Sequence, residues 1–389
     1  MKNKLKKVIQ PPEFLGILGG GQLGRFFTIA AQEMGYSVLV LDPDDKSPAG
    51  NIADKHICKS YDDLAALDEL KTNCLAVSTE FENIPAETLK YLEKNIIVRP
   101  SSKAVSIVQN RINEKKFIRD CGCPVGQYKV IDNLDSIRNL NEDIIFPAIL
   151  KTAQFGYDGK GQIHVENIFE LENAFKFFNS TPCVLEEKLN LDLEVSIVLS
   201  RSNNGECKIY PLIENQHVSG ILDLSIIPAR TNSSINDNAI KLAKKIADEL
   251  DYIGVMAVEF FISKNNLYVN EIAPRPHNSG HFSIDACEYN QFDQQALVLA
   301  GNEPKATITK FPISVMLNLL GDLWFRDGVQ KEPKFEMVQG KGINIHLYGK
   351  DEPRKGRKMG HITLIGLENE SQQDIIEKIE LIRKTLWKN

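Results

Sequence analysis

From Phe14 to Pro43 the chain runs through an apolar stretch, the cluster Gly19-Gly20-Gly21-Gln22-Leu23-Gly24, a helical segment reaching Met34, and a second apolar stretch, Ser37 to Leu41, closed by Asp42-Pro43. That order is a βαβ unit, and it constrains the fold more than any other feature, because a crossover helix returns the chain to lie parallel beside the strand it left. The apolar stretch Cys74 to Ser78 and the segment Ile96 to Val98 continue the alternation. A mostly parallel sheet covered on both faces is expected, ending a first domain, residues 1–105.

The rest of the chain predicts a different architecture. A helix is expected from Val105 to Asp120, and short strands recur at Pro147 to Leu150, Cys183 to Glu186 and Val195 to Leu199, the last two leaning toward antiparallel sheet. Ile240, Ala243, Ile246, Ala247 and Leu250 fall at helical spacing, and two apolar strands then flank Lys264-Asn265-Asn266. From about residue 305 a smaller mixed segment follows, closing on a helix whose apolar face is Ile375, Ile379, Ile382 and Leu386. The fold class is therefore α/β followed by α+β, and 389 residues suffice for two or three domains.

Bulk properties narrow the partners. A net charge of −6 argues against a general nucleic-acid binder, which needs clustered Lys and Arg. The seven cysteines are odd in number and scattered without a CxxC pair, which suits a reducing cytosol. No secretory leader is readable in Met1 to Gln10, and no apolar run approaches membrane-spanning length. Small molecules are the expected partners.

Five motifs carry chemistry. Gly19 to Gly24 satisfies G-x-G-x-x-G after a strand, with Asp42 ending the next one; this fits a dinucleotide, another phosphorylated ligand, or a tight turn alone. Gly156-Tyr157-Asp158-Gly159-Lys160-Gly161-Gln162, just beyond Lys151, is a candidate phosphate-covering loop or an ordinary hairpin turn, and no Walker P-loop is present. Glu259 and Glu271 lie on otherwise apolar strands: a three-residue loop at Lys264–Asn266 places them face to face, a four-residue loop on opposite faces. Facing carboxylates call for a cation, and oxygen-only ligands favour magnesium; the alternative is two solvated glutamates on an outer face. Asn270 to His281 packs Arg275, His277, Asn278, Ser279 and His281 into a proline-stiffened loop; His277 and His281 have zinc-like spacing, but Pro274, Pro276 and Gly280 oppose the helix it requires, and anion binding fits better. The basic stretch of Lys350 and Arg354 to Lys358 is a charge run of the kind that is usually a solvated turn.

Taken in order, GGGQLG, Lys151 with GYDGKGQ, Glu259 with NEIAPRPHNSGH, and GRKMGH resemble the bacterial and fungal 5-(carboxyamino)imidazole ribonucleotide synthetases, a family of ATP-grasp ligases. The match spans nearly the whole chain, and NEIAPRPHNSGH is its most specific part. The resemblance implies an N-terminal Rossmann-like substrate-binding domain, an ATP-grasp domain at 106–304 with a mobile lobe at about 120–190, and a C-terminal domain at 305–389. It implies a cytoplasmic homodimer that uses ATP, Mg2+ and bicarbonate to carboxylate 5-aminoimidazole ribonucleotide. Arg111, Lys151, Gly156 to Gln162, Glu186, Glu187, Lys188, Leu189, Glu194, His217, Asn270 and Glu271 would contact ATP, and Glu259 and Glu271 would hold magnesium. Gln22, Leu23, Glu80, Tyr157, Asp158, Arg275, His277, Asn278, Ser279, Lys350, Arg357 and Lys358 would face the ribonucleotide, with Lys151, Asp158, Arg275 and His277 closest to the chemistry. One departure is Ala153-Gln154-Phe155, where relatives often carry an Arg or Lys. Competing readings are another ATP-grasp ligase such as a formate-dependent glycinamide ribonucleotide transformylase, an NAD-dependent oxidoreductase, and a nucleotide sensor without turnover.

Overall fold

The computed structural model describes residues 8–140, 146–154, 156, 161–326 and 328–388. The expected βαβ unit opens it. Strands β1 (Phe14–Leu18), β2 (Ser37–Leu41), β3 (Lys55–Ile57), β4 (Cys74–Thr79) and β5 (Ile97–Val98) form one parallel sheet in the order β3-β2-β1-β4-β5. Helices α2 (Leu64–Asn73) and α3 (Ala86–Glu93) bury Leu67, Leu70, Leu89 and Leu92 against one face. On the other face α1 (Gln22–Glu33) packs Leu23, Phe27, Ala30 and Ala31 beside Phe292, Ala296 and Leu299, so a segment about 260 positions downstream completes this core.

The helix expected from Val105 to Asp120 is two helices, α4 (Ser102–Val108) and α5 (Arg111–Asp120). Asn110 breaks it: its backbone is extended and its side chain accepts hydrogen bonds from the Ile112 and Asn113 N–H groups, starting α5 anew. The small sheet that follows comprises β6 (Tyr128–Ile131), β7 (Ala148–Thr152), β8 (Gln162–Val165) and β9 (Cys183–Glu187), antiparallel in the order β6-β9-β7-β8. Helices α6 (Leu134–Arg138) and α7 (Ile168–Phe177) cover it through Ile137, Leu171, Ala174 and Phe175.

The large sheet takes up β10 (Leu193–Arg201), β11 (Cys207–Ile209), β12 (Ile213–Val218), β13 (Ile221–Ile227), β14 (Gly254–Ser263), β15 (Asn266–Ala273) and β16 (Ser314–Leu320), then, beyond a short ribbon of β17 (Phe325–Arg326) and β18 (Val329–Gln330), β19 (Ile343–Leu347) and β20 (Lys358–Ile365). Its order is β15-β14-β10-β12-β13-β16-β20-β19, with β11 on β10. Strands β16, β19 and β20 thus extend the central sheet, and of the described strands after residue 305 only the short β17–β18 ribbon stands apart from it. Helix α8 (Ser233–Glu249) covers β10, β14 and β15; α9 (Ser283–Ala286) and α10 (Gln291–Leu299) follow the polar loop. The closing helix α11 (Gln372–Lys388) buries Ile375, Ile379, Ile382 and Leu386 against β13, β16 and β20, as its periodicity predicts.

The hairpin of β14 and β15 departs from both expected registers. Its loop has two residues, Lys264 and Asn265, both left-handed with φ of 49° and 61°, and Ser263 pairs with Asn266. Taken alone, a two-residue loop would separate Glu259 from Glu271. A β-bulge restores them: Phe260 pairs with Val269 but Glu259 pairs with Glu271, leaving Asn270 as the extra residue.

Candidate active site

A cleft of about 960 Å3 lies where the three sheets meet. The parallel sheet contributes Gln22, Leu23, Glu80 and Glu82; α5 contributes Arg111; the small sheet contributes Lys151, Gly156, Gly161, Gln162 and Glu186 to Leu189. From the large sheet and its loops come Glu194, His217, Glu259, Asn270, Glu271, Arg275, His277, Asn278, Lys350, Arg357 and Lys358. Residues drawn from every motif of the sequence therefore share one cavity. Tyr157, Asp158, Gly159 and Lys160 lie outside the described residues.

The glycine turn has a use that its sequence does not show. Glu80, at the end of β4, accepts the N–H groups of Gly21 at 2.5 Å and Leu23 at 3.1 Å, occupying the positive N-terminus of α1 with a carboxylate of the chain itself. A Cβ on Gly21 would stand 2.3 Å from Glu80 Oε1. Burial raises the Glu80 pKa above the usual carboxylate range. Asp42, which a dinucleotide ribose would require, instead accepts from Gly20 N at 2.7 Å and Tyr61 Oη at 2.6 Å. These contacts remove the geometric basis of the NAD reading. Lys350 reaches across from the basic segment to donate to Gln22 Oε1 and, at 2.8 Å, to the Lys358 carbonyl, joining that segment to α1.

On the large sheet each carboxylate of the facing pair meets a basic side chain. His277 Nε2 lies 3.0 Å from Glu259 Oε1; burial pushes the Glu259 pKa up, but the contact with His277 outweighs it and holds the carboxyl below the usual carboxylate range. Glu271 Oε2 lies 3.4 Å from Arg111 Nη2. Asn270 Oδ1, between the two glutamates in sequence, is buried without a hydrogen-bond partner. Two carboxylates and an orphaned amide oxygen form an oxygen-only donor set that fits a hard divalent cation. Lys151 Nζ lies 3.2 Å from Glu186 Oε1, and burial lowers the lysine's pKa despite that carboxylate. His217 pairs with Glu194 at 3.1 Å; burial opposes the imidazolium, but the Glu194 carboxylate prevails and raises the His217 pKa.

The loop after β15 corrects one assignment. Ser279 is fully buried, its Oγ within 2.8 Å of both His277 Nδ1 and Ser196 Oγ, so it supports His277 from below and is not among the residues that line the cleft. The loop forms a 3-10 helix, Asn278–Phe282, that also buries His281 completely, away from Glu259. The zinc-like spacing of His277 and His281 therefore builds no shared site.

Three contributors escaped the sequence reading. Glu82 holds Arg275 Nε at 2.6 Å. Gln291, 14 positions past His277, accepts the His277 N–H and donates to the His277 carbonyl, both at 2.8 Å, clamping the backbone that aims the imidazole. Lys115 lies beneath Glu186 at 3.0 Å. The only signal for Lys115 is its spacing from Arg111 on one helix face; for Glu82 and Gln291 nothing local distinguishes them from surface residues.

Known proteins repeat this arrangement in the same chain order. The ribonucleotide synthetase preATP-grasp domain matches residues 13–109, the ATP-grasp domain residues 116–292, and the phosphoribosylaminoimidazole carboxylase C-terminal domain residues 314–374. The N5-carboxyaminoimidazole ribonucleotide synthase of Bacillus subtilis (strain 168) is 40% identical over 375 residues, covering 96% of this chain and 97% of its own. The chain belongs to the N5-carboxyaminoimidazole ribonucleotide synthase family. Among solved structures of that synthase family, an ADP complex superposes with a TM-score of 0.90 at 38% identity, covering 99% of each chain. The Aspergillus clavatus synthase, solved in complex with ADP and 5-aminoimidazole ribonucleotide, gives 0.84 at 28% identity, covering 96% of this chain and 99% of that one.

Proposed function

We propose that this chain is an ATP-dependent carbon–nitrogen ligase that carboxylates 5-aminoimidazole ribonucleotide to N5-carboxyaminoimidazole ribonucleotide in purine biosynthesis, releasing ADP and phosphate. The observation that carries this reading is that Arg111, Lys151 and Arg275, the facing pair Glu259 and Glu271, and the basic residues Lys350, Arg357 and Lys358 line one cleft. The family membership and the ADP and 5-aminoimidazole ribonucleotide complexes of its relatives support it.

Bicarbonate is a poor electrophile, so its oxygen first attacks the γ-phosphorus of ATP; the bond to the β-phosphate oxygen breaks, giving carboxyphosphate and ADP. The amine nitrogen then bonds to the carboxyl carbon as the carbon–oxygen bond to phosphate breaks, directly or through carbon dioxide, and the nitrogen gives up a proton. Lys151 and Arg275 are placed to balance the charge that moves during phosphoryl transfer. Glu259, Glu271 and Asn270 Oδ1 would hold Mg2+, which when bound neutralises phosphate oxygens. Arg111, now 3.4 Å from Glu271, would pair with nucleotide phosphate. Glu187 to Leu189, beside Ile149 and Leu191, offer the edge and apolar wall for the adenine, while Glu194 and His217 lie toward its ribose. Gln22, Leu23, Glu80, Lys350, Arg357 and Lys358 face the ribonucleotide substrate. His277 and Asp158 are the candidates for orienting or deprotonating the attacking amine; both ring nitrogens of His277 are engaged, Nε2 by Glu259 and Nδ1 by Ser279, which favours orientation as its part, and Asp158 lies outside the described residues.

A homodimer in the cytosol, as the resemblance implies, completes the proposal. No helix among the described residues is long and apolar enough to cross a membrane. Sedimentation of the purified protein tests the dimer. The activity is tested by ADP release with ATP, Mg2+ and bicarbonate, with and without 5-aminoimidazole ribonucleotide. Release should depend on the ribonucleotide and collapse in Glu271→Gln, whereas His277→Ala should keep ATP binding and lose carboxylation. No release under any of these conditions would defeat the ligase reading, and equal loss of binding and carboxylation in His277→Ala would defeat its assigned role.

A further inference from the structure

Three residues on one face of α5 hold three consecutive residues of β15. Arg111, Glu114 and Lys115 stand at i, i+3 and i+4, so their side chains share a face. Lys115 Nζ donates to the Asn270 carbonyl at 3.0 Å, Arg111 pairs with Glu271 at 3.4 Å, and Glu114 Oε1 accepts the Ile272 N–H at 2.7 Å. Lys115 also lies 3.0 Å from Glu186 Oε2, whose other oxygen faces Lys151. One ammonium group, on a residue only 1% exposed, therefore bridges the small sheet and the large sheet on either side of the cleft.

A buried ammonium is costly to desolvate, and an apolar side chain of similar volume often serves stability as well or better. Its position indicates another use. Asn270 is the extra residue of the bulge, and the bulge alone turns Glu259 and Glu271 to face each other. The residue a bulge adds stands outside the regular ladder, and here Lys115 supplies a partner for its carbonyl.

We propose that Lys115 is a positioning residue with two tasks: it maintains the bulge that sets the facing of the acidic pair, and through Glu186 it sets the position of Lys151. The proposal rests on the reading of the cleft as an ATP and magnesium site. Lys115→Met tests it, measured by calorimetry with Mg-ADP and by the Mg2+ dependence of ADP release. Loss of such a supporting contact should weaken Mg-ADP binding and raise the Mg2+ concentration for half-maximal activity by roughly 10-fold to 100-fold. The maximal rate at saturating ATP and Mg2+ should fall much less, a split that a merely structural lysine would not produce. Because Lys115→Met leaves Glu186 short of a partner, it is paired with Lys115→Met/Glu186→Gln, which removes the uncompensated charge but still leaves the Asn270 carbonyl without its anchor. The double variant should show the same raised Mg2+ requirement. Parent-like nucleotide affinity and Mg2+ dependence in either folded variant would overturn the proposal. Failure of the parent protein itself to bind Mg-ADP would instead overturn the functional reading, and this inference with it.

Discussion

Burial pushes the Glu82 carboxyl toward its neutral form, yet the Arg275 guanidinium at 2.6 Å more than offsets it and brings the pKa down to about 2. A carboxylate whose folded pKa lies below its unfolded value stabilises the fold fully above the unfolded pKa of 4.5 and loses that contribution as pH falls toward 2. At about 1.4 kcal/mol per pKa unit the pair is worth at most on the order of 3 kcal/mol, reduced by partial exposure. Glu82→Gln should therefore lower stability by roughly 2 kcal/mol at pH 7, and the gap to the parent should close between pH 4.5 and 2. Urea unfolding across that range is the check; a constant gap would mean that the guanidinium does not hold this carboxylate. The residues proposed to meet ligand were largely legible in the sequence, since Lys151, Glu271, Arg275 and His277 stand in dense, specific motifs and line one cleft. Their supports were not: Gln291 clamps His277 from another helix, and Lys115 looks like any exposed helical lysine until β15 and β9 cover it.

At the scale of elements, the turn from β1 into α1 depends on the closeness of its backbone. A Cβ on Gly24 would lie 2.5 Å from the Gly19 carbonyl oxygen, a backbone atom with no rotamer to adopt. Gly24→Ala should destabilise the protein by about 1–3 kcal/mol and loosen the seat of Glu80, raising the KM for the ribonucleotide more than that for ATP. An unchanged unfolding midpoint would show that the turn has slack. The βαβ unit was readable because crossover helices and buried parallel strands impose long periodic runs. The hairpin register was not, because one bulge at Asn270 reverses what the two-residue loop sets. Asn110 was another such case: a polar residue within a helical pattern can be tolerated or can cap, and only the extended backbone there makes it a cap.

The whole molecule is less divisible than three matched domains imply. Strand β16 pairs with β13, and β20 with β16, so the segment from residue 314 continues the central sheet, while α11 covers Leu224, Val315 and Leu317. Ending the chain after Ile313 would expose the edge and the apolar face of β13 together. Residues 1–313 should consequently aggregate or unfold without cooperativity; size-exclusion chromatography and a thermal melt decide it, and a monodisperse fragment with a sharp transition would make the C-terminal segment an independent unit.

Short-range patterns in the sequence determined the element types, the parallel character of the first sheet, and the chemical inventory of the cleft, because periodicity and motif spacing act within a few turns of chain. Tertiary structure decided everything that depends on two distant segments meeting. It seated Glu80 in the glycine turn, turned Glu259 toward Glu271, buried Ser279 and His281 beneath the site, and brought Lys115 between two sheets. Each of these outcomes rests on a buried polar group finding its partner, and where that partner lies is a property of the packed chain rather than of the residue's neighbours in sequence.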